Sequence, residues 1–389
     1  MSAREAWHAP RASMVDARGS RERTLLDGPR PSSPMIHPRD AARIARCDKP
    51  LLLVAGLPSR AKEDLVAALR DACSQDVHDL AGATEPRAVM AALRPHSSAT
   101  GGELRGHLST IVEAATFTRN LTSHDMLRDR GWALDADDLR SVADVLCEQV
   151  EYAHTCVIAA STTRFDHART ATERVVHTLN PGARILHWAP NRQLPRGLTH
   201  ARFDLRPPDG TCAWERALAD AAPPTRGDIP TRFTYAARRP FHPGRLGAWL
   251  TGDWPGVLRV KGRIFVADRL EQVLGLSQAG AVRRVFPLGT WWVDAPLHLW
   301  PTAPEARAAI RARLVGPFGD REQRIAFVGQ DVDATGLTLA LDRCLLTPDE
   351  LRRGAAAWAA QGDPLAALDL PSAVVALAPD STGVGRTLH

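Results

Sequence analysis

From Leu51 onward, apolar runs of strand length alternate with helix-length stretches whose apolar residues recur every three or four positions. That alternation leaves few folds open, because strand, helix and strand in succession close most readily as a right-handed parallel crossover. Leu51-Leu-Leu-Val-Ala55 is a buried-strand run ended by Gly56, and Ala61 to Ala72 reads as a helix with Leu65, Ala68, Leu69 and Ala72 on one stripe. The same reading predicts strands at Val77–Leu80, Leu108–Ala114, Thr155–Ala160 and Ala183–His187. It predicts helices over Glu85–Leu93, Asp137–Tyr152 and Asp166–Leu179. The result is an α/β domain with a mostly parallel sheet, spanning about 50–188.

Residues 189–230 hold seven prolines and read as a connecting segment with a short helix near Trp214–Ala221. A smaller α+β domain follows over 231–365. Strands are expected at Thr231–Ala236, Val257–Ala267, Val282–Pro287, Gly289–Val293 and Arg324–Gly329. Helices are expected at Pro243–Leu250, Ala334–Cys344 and Thr347–Trp358. Thr347-Pro-Asp-Glu350 is a capping box with proline in the first turn. Residues 1–49, rich in Arg, Ser and Pro without apolar periodicity, read as a disordered leader, and 366–389 as a tail.

Composition excludes several classes of function. No apolar run approaches the ~20 residues of a membrane helix. The formal charge of +5 is concentrated at the start of the chain, where residues 1–49 hold 10 Lys+Arg against 6 Asp+Glu. The rest is nearly balanced, so no surface for sequence-specific nucleic-acid binding is expected. The six cysteines, Cys47, Cys73, Cys147, Cys156, Cys212 and Cys344, form no C-x-x-C pair and read as buried thiols of a cytoplasmic protein.

Three linked stretches then become specific: Arg238-Arg-Pro-Phe-His-Pro-Gly-Arg-Leu246, Gly256-Val-Leu-Arg-Val-Lys-Gly-Arg263 and Phe318-Gly-Asp-Arg-Glu-Gln-Arg-Ile-Ala-Phe-Val-Gly-Gln330. Together they closely resemble the C-terminal domain of the CobW family, P-loop GTPases linked to zinc and cobalt delivery. Upstream, Asp79-Leu-Ala-Gly-Ala-Thr-Glu-Pro86 resembles the family's E-S-T-G-x-x-E-P segment. Glu148-Gln-Val-Glu-Tyr-Ala-His154 resembles the stretch before its guanine loop. The resemblance implies a P-loop-type domain followed by a CobW C-terminal domain, with a role in metal homeostasis.

The chemistry-bearing positions depart from that family. A P-loop reads G-x-x-x-x-G-K-[ST], so that backbone N–H groups wrap phosphates, Lys neutralises them and a hydroxyl holds Mg²⁺. Here the run is Gly56-Leu-Pro-Ser-Arg-Ala-Lys-Glu63, which keeps only Gly56 and Lys62. Ala61 crowds the second glycine position, Pro58 removes a donor, and Glu63 sets a carboxylate near phosphate at a cost of roughly 4 kcal/mol at ~4 Å and effective ε ~20. Where N-K-x-D would read guanine, Ala159-Ala-Ser-Thr162 offers no carboxylate. Only Ser74 to His78 connect the elements between which the family carries C-x-C-C, so its metal ligands are missing. At most a weak site for GTP with Mg²⁺ remains at Gly56 and Lys62, with no catalytic residue and no metal ligand set. Lys62 is expected to hold its charge in solvent, paired with Asp64 or Glu63.

Three further features admit two readings each. His78 is a stray metal ligand or a partly buried polar residue. His242 is a contact residue or a helix cap. Trp291, Trp292 and Trp300 are an exposed protein anchor or core.

Gly131-Trp-Ala-Leu-Asp-Ala-Asp-Asp138, Ser141-Val-Ala-Asp-Val145 and Val157-Ile-Ala-Ala160 also resemble a subgroup of CobW-like proteins from high-GC actinobacteria. That subgroup is associated with zinc starvation and, in mycobacteria, with recruiting a hibernation factor to ribosomes. Two expectations follow: a zinc-homeostasis protein with a zinc-dependent client, or a non-catalytic module that meets a ribosome-associated factor under zinc limitation.

Overall fold

The computed structural model describes residues 51–359 except 74, 83, 87–88, 90–105, 135–137, 139, 161–165, 191, 199–230 and 281. The expected leader, the tail, the helix near Trp214–Ala221 and most of the Glu85–Leu93 helix lie outside those residues, as do Cys47 and Cys212.

The first sheet contains β1 (Leu51–Ala55), β2 (Asp76–Asp79), β3 (Gly106–Glu113), β4 (Thr155–Ala159) and β5 (Arg184–Trp188). All pairings are parallel and the order is β2-β1-β3-β4-β5. Between the strands run α1 (Arg60–Ala72), α2 (Phe117–Leu121), α3 (Val142–Glu151) and α4 (Asp166–Leu179). Side chains alternate across the pleat, so each strand feeds two cores. Leu52, Val54, Ile111 and Val157 pack with Leu65, Val66 and Leu69 of α1 on one face. Val112, Cys156 and Ile158 meet α2, α3 and α4 on the other. The predicted α1 stripe shifts accordingly. Leu65 and Leu69 are buried with Val66, whereas Ala72 is exposed. The helix expected over Asp137–Tyr152 begins at Val142, where the Ser141 hydroxyl accepts from the Asp144 N–H.

The second sheet contains β6 (Thr231–Ala237), β7 (Val257–Ile264), β8 (Gln272–Ala279), β9 (Val282–Thr290) and β10 (Gln323–Gly329). Every pairing is antiparallel, in the order β6-β10-β7-β8-β9. Its helices are α5 (Pro243–Thr251), α6 (Pro304–Arg313), α7 (Ala334–Cys344), α8 (Pro348–Arg352) and α9 (Ala355–Ala359). The expected pair Val282–Pro287 and Gly289–Val293 is one strand, β9, which ends at Thr290, and it pairs with β8, a strand absent from the sequence reading. Pro287 fits β9 because this is an edge strand, where a missing N–H breaks no inner ladder. The helix expected over Thr347–Trp358 divides into α8 and α9 around Gly354, whose φ is +78°.

One face of the second sheet, with Phe233, Val260, Leu276, Val285 and Phe327, packs on α5 and α7. The other face joins the first sheet. Leu258, Ala279, Ala326 and Val328 share a core with α3 and β4. Among the described residues no helix is long and apolar enough to cross a membrane.

At the amino end of β3, His107 is 1% exposed and its Nε2 lies 2.9 Å from Thr155 Oγ1. Burial, then the neighbouring His154 and Arg184, lower its pKa from 6.5 to about 3. The unfolded chain therefore takes up a proton below pH 6.5 that the native state refuses until about pH 3. Stability is full above that upper value and declines as pH falls, by about 1.4 kcal/mol per unit. Urea melts at about pH 7 and 5.5 should differ by roughly 1 kcal/mol, and His107→Gln should flatten the difference. An unchanged difference in the variant would assign it to other groups.

Candidate functional site

In an order of β2-β1-β3-β4-β5 the strand order reverses between β1 and β3, and ligands of open α/β sheets gather at the carboxyl ends of the strands at such a point. The residues that follow β1 therefore decide what this molecule can hold. Gly56 leaves the strand at φ +147°, where a Cβ would come 2.7 Å from Ile111 Cγ2. Only Leu57, Pro58 and Ser59 then intervene before α1 begins at Arg60. Ser59 caps the helix, its hydroxyl accepting from Lys62 N at 3.3 Å. Arg60, Ala61 and Lys62 thus already lie in the helix, in the stretch where a phosphate-wrapping loop would run.

Lys62 departs from expectation. It is 4% exposed rather than in solvent, and pairs with neither Asp64 nor Glu63. Its ammonium lies 2.7 Å from Asp79 Oδ1 and donates to the Leu80 carbonyl. Arg60 pairs with Glu63 and Asp64 instead, at 3.5 and 2.9 Å. Lys62 lies in the first turn of α1, on the side that faces β2, so the end of that strand captures it. Lys62→Ala should consequently cost about 1–3 kcal/mol in a denaturant melt by orphaning the Leu80 carbonyl. A loss under about 0.5 kcal/mol would return the side chain to solvent.

The segment after β2 closes over the same turn. A Cβ on Gly82 would sit 2.2 Å from Pro58 Cδ, so the two backbones are in close contact. Gln149 Nε2 of α3 donates to the Gly82 and Thr84 carbonyls at 2.9 and 3.3 Å. Arg140 holds Glu85 at 3.1 Å and Asp138 at 2.7 Å. The Asp79–Pro86 stretch is therefore tied to α1, to α3 and to the loop ahead of α3. Of the expected guanine loop, Ala159 ends β4 and Ala160 follows it, while Ser161 and Thr162 lie outside the described residues.

Beside the turn, on its β3 side, lies a crevice of about 210 Å³. Ser59, Glu113, Arg119, Asn120, Arg130 and Trp132 supply its polar and aromatic lining, over an apolar floor that includes Val112, Phe117 and Leu146. Sequence reasoning missed it entirely.

The other candidates resolve as structure. His78 pairs with Asp76 at 2.8 Å. His242 caps α5, its Nδ1 accepting from Gly244 N and Arg245 N at 3.1 and 3.4 Å. Trp291 and Trp300 are buried and Trp292 packs against the cluster that contains Trp300, so of the two readings the core one holds. Burial raises the Cys156 and Cys344 thiols to about 12 and about 11. Among the described residues no group of three His, Cys, Asp or Glu is placed to hold a metal ion.

The motifs that carry the family resemblance have a common purpose. Asp144, Glu148 and Glu151 follow at four- and three-residue spacing on one face of α3. Arg259 and Lys261 alternate on the face of β7 that meets them. Arg259 Nε lies 2.7 Å from Glu151, Lys261 Nζ lies 2.5 Å from Glu148 and 2.6 Å from Glu151, and Arg284 lies 2.8 Å from Asp144. All six side chains are at most 6% exposed. Burial opposes the Arg259 charge most strongly, but its neighbours together, Glu151 first and Asp144 among them, outweigh burial and hold the guanidinium pKa above its ordinary value. Elsewhere Arg263 meets Glu322, Gln323 Oε1 accepts from Phe265 N, and Arg245 grips the capping-box Glu350 at 2.7 Å. These residues join elements rather than perform chemistry.

Residues 231–345 match the model of the cobalamin synthesis protein CobW C-terminal domain. The chain carries a CobW C-terminal domain. Across 263 residues it is 27% identical to a zinc-regulated GTPase metalloprotein activator of Dictyostelium discoideum, covering 66% of this chain and 55% of the relative. Across 236 residues it is 31% identical to a zinc chaperone of Mycobacterium tuberculosis, covering 59% and 57%. The chain thus spans little more than half the length of these relatives. The Zn(II)-bound YjiA GTPase from E. coli aligns over 77% of this chain and 99% of its own, at 10% identity and a TM-score of 0.30.

Proposed function

We propose that this chain is a CobW-type protein of zinc homeostasis that acts through a client protein in the cytoplasm rather than by turning over GTP. The zinc half of the reading rests on the CobW domain and on the names of the relatives. The other half rests on one observation, the burial of Lys62 against Asp79 and the Leu80 carbonyl. A lysine so engaged is unavailable to phosphates, and a turn of three residues before the helix leaves no loop to wrap them. Arg60 to Glu63 therefore do not fit GTP and Mg²⁺, and no step is assigned to that nucleotide.

Titration calorimetry with GTP and Mg²⁺ should give no binding at micromolar nucleotide, and the protein should retain no stoichiometric zinc after dialysis against a moderate chelator. Micromolar GTP binding abolished by Lys62→Ala would restore a working nucleotide switch. Capture from zinc-depleted cells, read by mass spectrometry, should recover a zinc enzyme. Ribosomal proteins in its place would overturn the client reading and favour recruitment of a hibernation factor.

A further inference from the structure

The crevice between β1 and β3 has a lining that the turn beside it does not explain. Glu113 and Arg119 carry opposite charges, both line it, and neither takes part in an ion pair with any described residue. Glu113 is half-buried and Arg119 exposed, so both charges remain available to a bound molecule. Asn120 is 8% exposed, yet its side-chain amide makes no hydrogen bond among the described residues and its Oδ1 is buried without a partner. An orphaned buried amide of this kind costs about 1–3 kcal/mol until a ligand completes it. Arg130 is already committed, to Asp125 at 2.6 Å and over the Trp132 ring at 5.4 Å, and forms part of the wall. The floor of Val112, Phe117 and Leu146 is apolar.

We propose that this crevice binds a small zwitterion of the α-amino-acid class. Its ammonium group meets Glu113 and the Asn120 amide oxygen, its carboxylate meets Arg119, and its side chain lies over the apolar floor. A ligand bearing only an anion would leave the Glu113 carboxylate facing it uncompensated, and one bearing only a cation would leave Arg119 so. A zwitterion satisfies both without adding net charge. The volume of about 210 Å³ suits such a molecule and is larger than a single ion needs. The inference stands apart from the zinc reading, since each can fail with the other intact.

The test uses the full chain and the twenty free L-amino acids, each titrated singly to about 10 mM and followed by calorimetry and thermal shift. At least one should bind. Its analogue without the amino group and its analogue without the carboxylate should each bind roughly tenfold more weakly or worse. Arg119→Gln, at an exposed position that leaves the fold intact, should abolish the penalty for losing the carboxylate. Glu113→Gln should abolish the penalty for losing the amino group. The proposal is overturned if no amino acid binds, if either singly charged analogue binds as well as its parent, or if both variants bind unchanged. Saturable binding of inorganic phosphate that Arg119→Gln removes, in the absence of amino-acid binding, would also overturn it.

Discussion

Replacing Glu151 with leucine is expected to destabilise the protein by about 3–5 kcal/mol, although a leucine fills the same space in the same helix. Glu151 is fully buried between two cations, Arg259 at 2.7 Å and Lys261 at 2.6 Å. Its loss leaves Lys261 with Glu148 and Arg259 with acids no nearer than 3.4 Å, so two buried cations are underpaired. Melting temperature should fall on the order of 10 °C. Salt should change the loss little, because buried pairs are poorly screened. The companion experiment replaces Glu151, Arg259 and Lys261 together with apolar residues. That variant should recover much of the stability, since the single substitution measures unpaired charge rather than the net worth of the cluster. The two sheets share one core through this region. The single variant should therefore also split a cooperative transition into two. A loss under about 1 kcal/mol, in one transition, would mean that water reaches the cluster.

The second large effect lies beyond the matched family domain. Trp358 is fully buried against Ala267 and Leu346, and its indole N–H donates to the Glu350 carbonyl at 2.7 Å. Trp358→Ala should cost about 3–5 kcal/mol in a denaturant melt. The family match ends at residue 345, yet Ala267 inside it is covered by Leu346 and Trp358 from beyond it, with Leu351 and Ala355 packed alongside. Leu297→Ala, at 70% exposure, should by contrast fall within about 0.5 kcal/mol of the parent. Equal losses for the two would show that Trp358 is not seated where the structure places it.

Some elements were missed for identifiable reasons. β8 reads poorly because Gly275 interrupts its apolar run. The residue that completes it is Phe286, opposite in the ladder, whose ring would lie 2.6 Å from a Cβ at that position. α6 carries legible helix signals, with Pro304 at its start, Glu305 in the first turn and arginines in the last. The capping box at Thr347 was read correctly, because its two hydrogen bonds join residues three apart.

The motif Gly256-Val-Leu-Arg-Val-Lys-Gly-Arg263 is the clearest case of partial legibility. Cations at every second position of an apolar strand already announce a charged, buried face. The acids at 144, 148 and 151 announce a matching helix face. Nothing local says that the two meet. The crevice was invisible for a related reason. Ser59, Glu113, Asn120 and Trp132 share no spacing, and only the reversal of strand order between β1 and β3 gathers them.

Sequence alone thus determined what depends on near neighbours: strand and helix period, caps, turns, and the α/β and α+β classes of the two parts of the chain. Those features are set by contacts within about one helical turn or by the two-residue pleat, and they can be read in order along the chain. Tertiary structure decided where charge goes. Lys62 has acids one and two residues away, but its partners come from β2, and Arg259 finds Glu151 across 108 positions. Burial raises the worth of a partner so steeply that a distant carboxylate in the core outcompetes a near one in water.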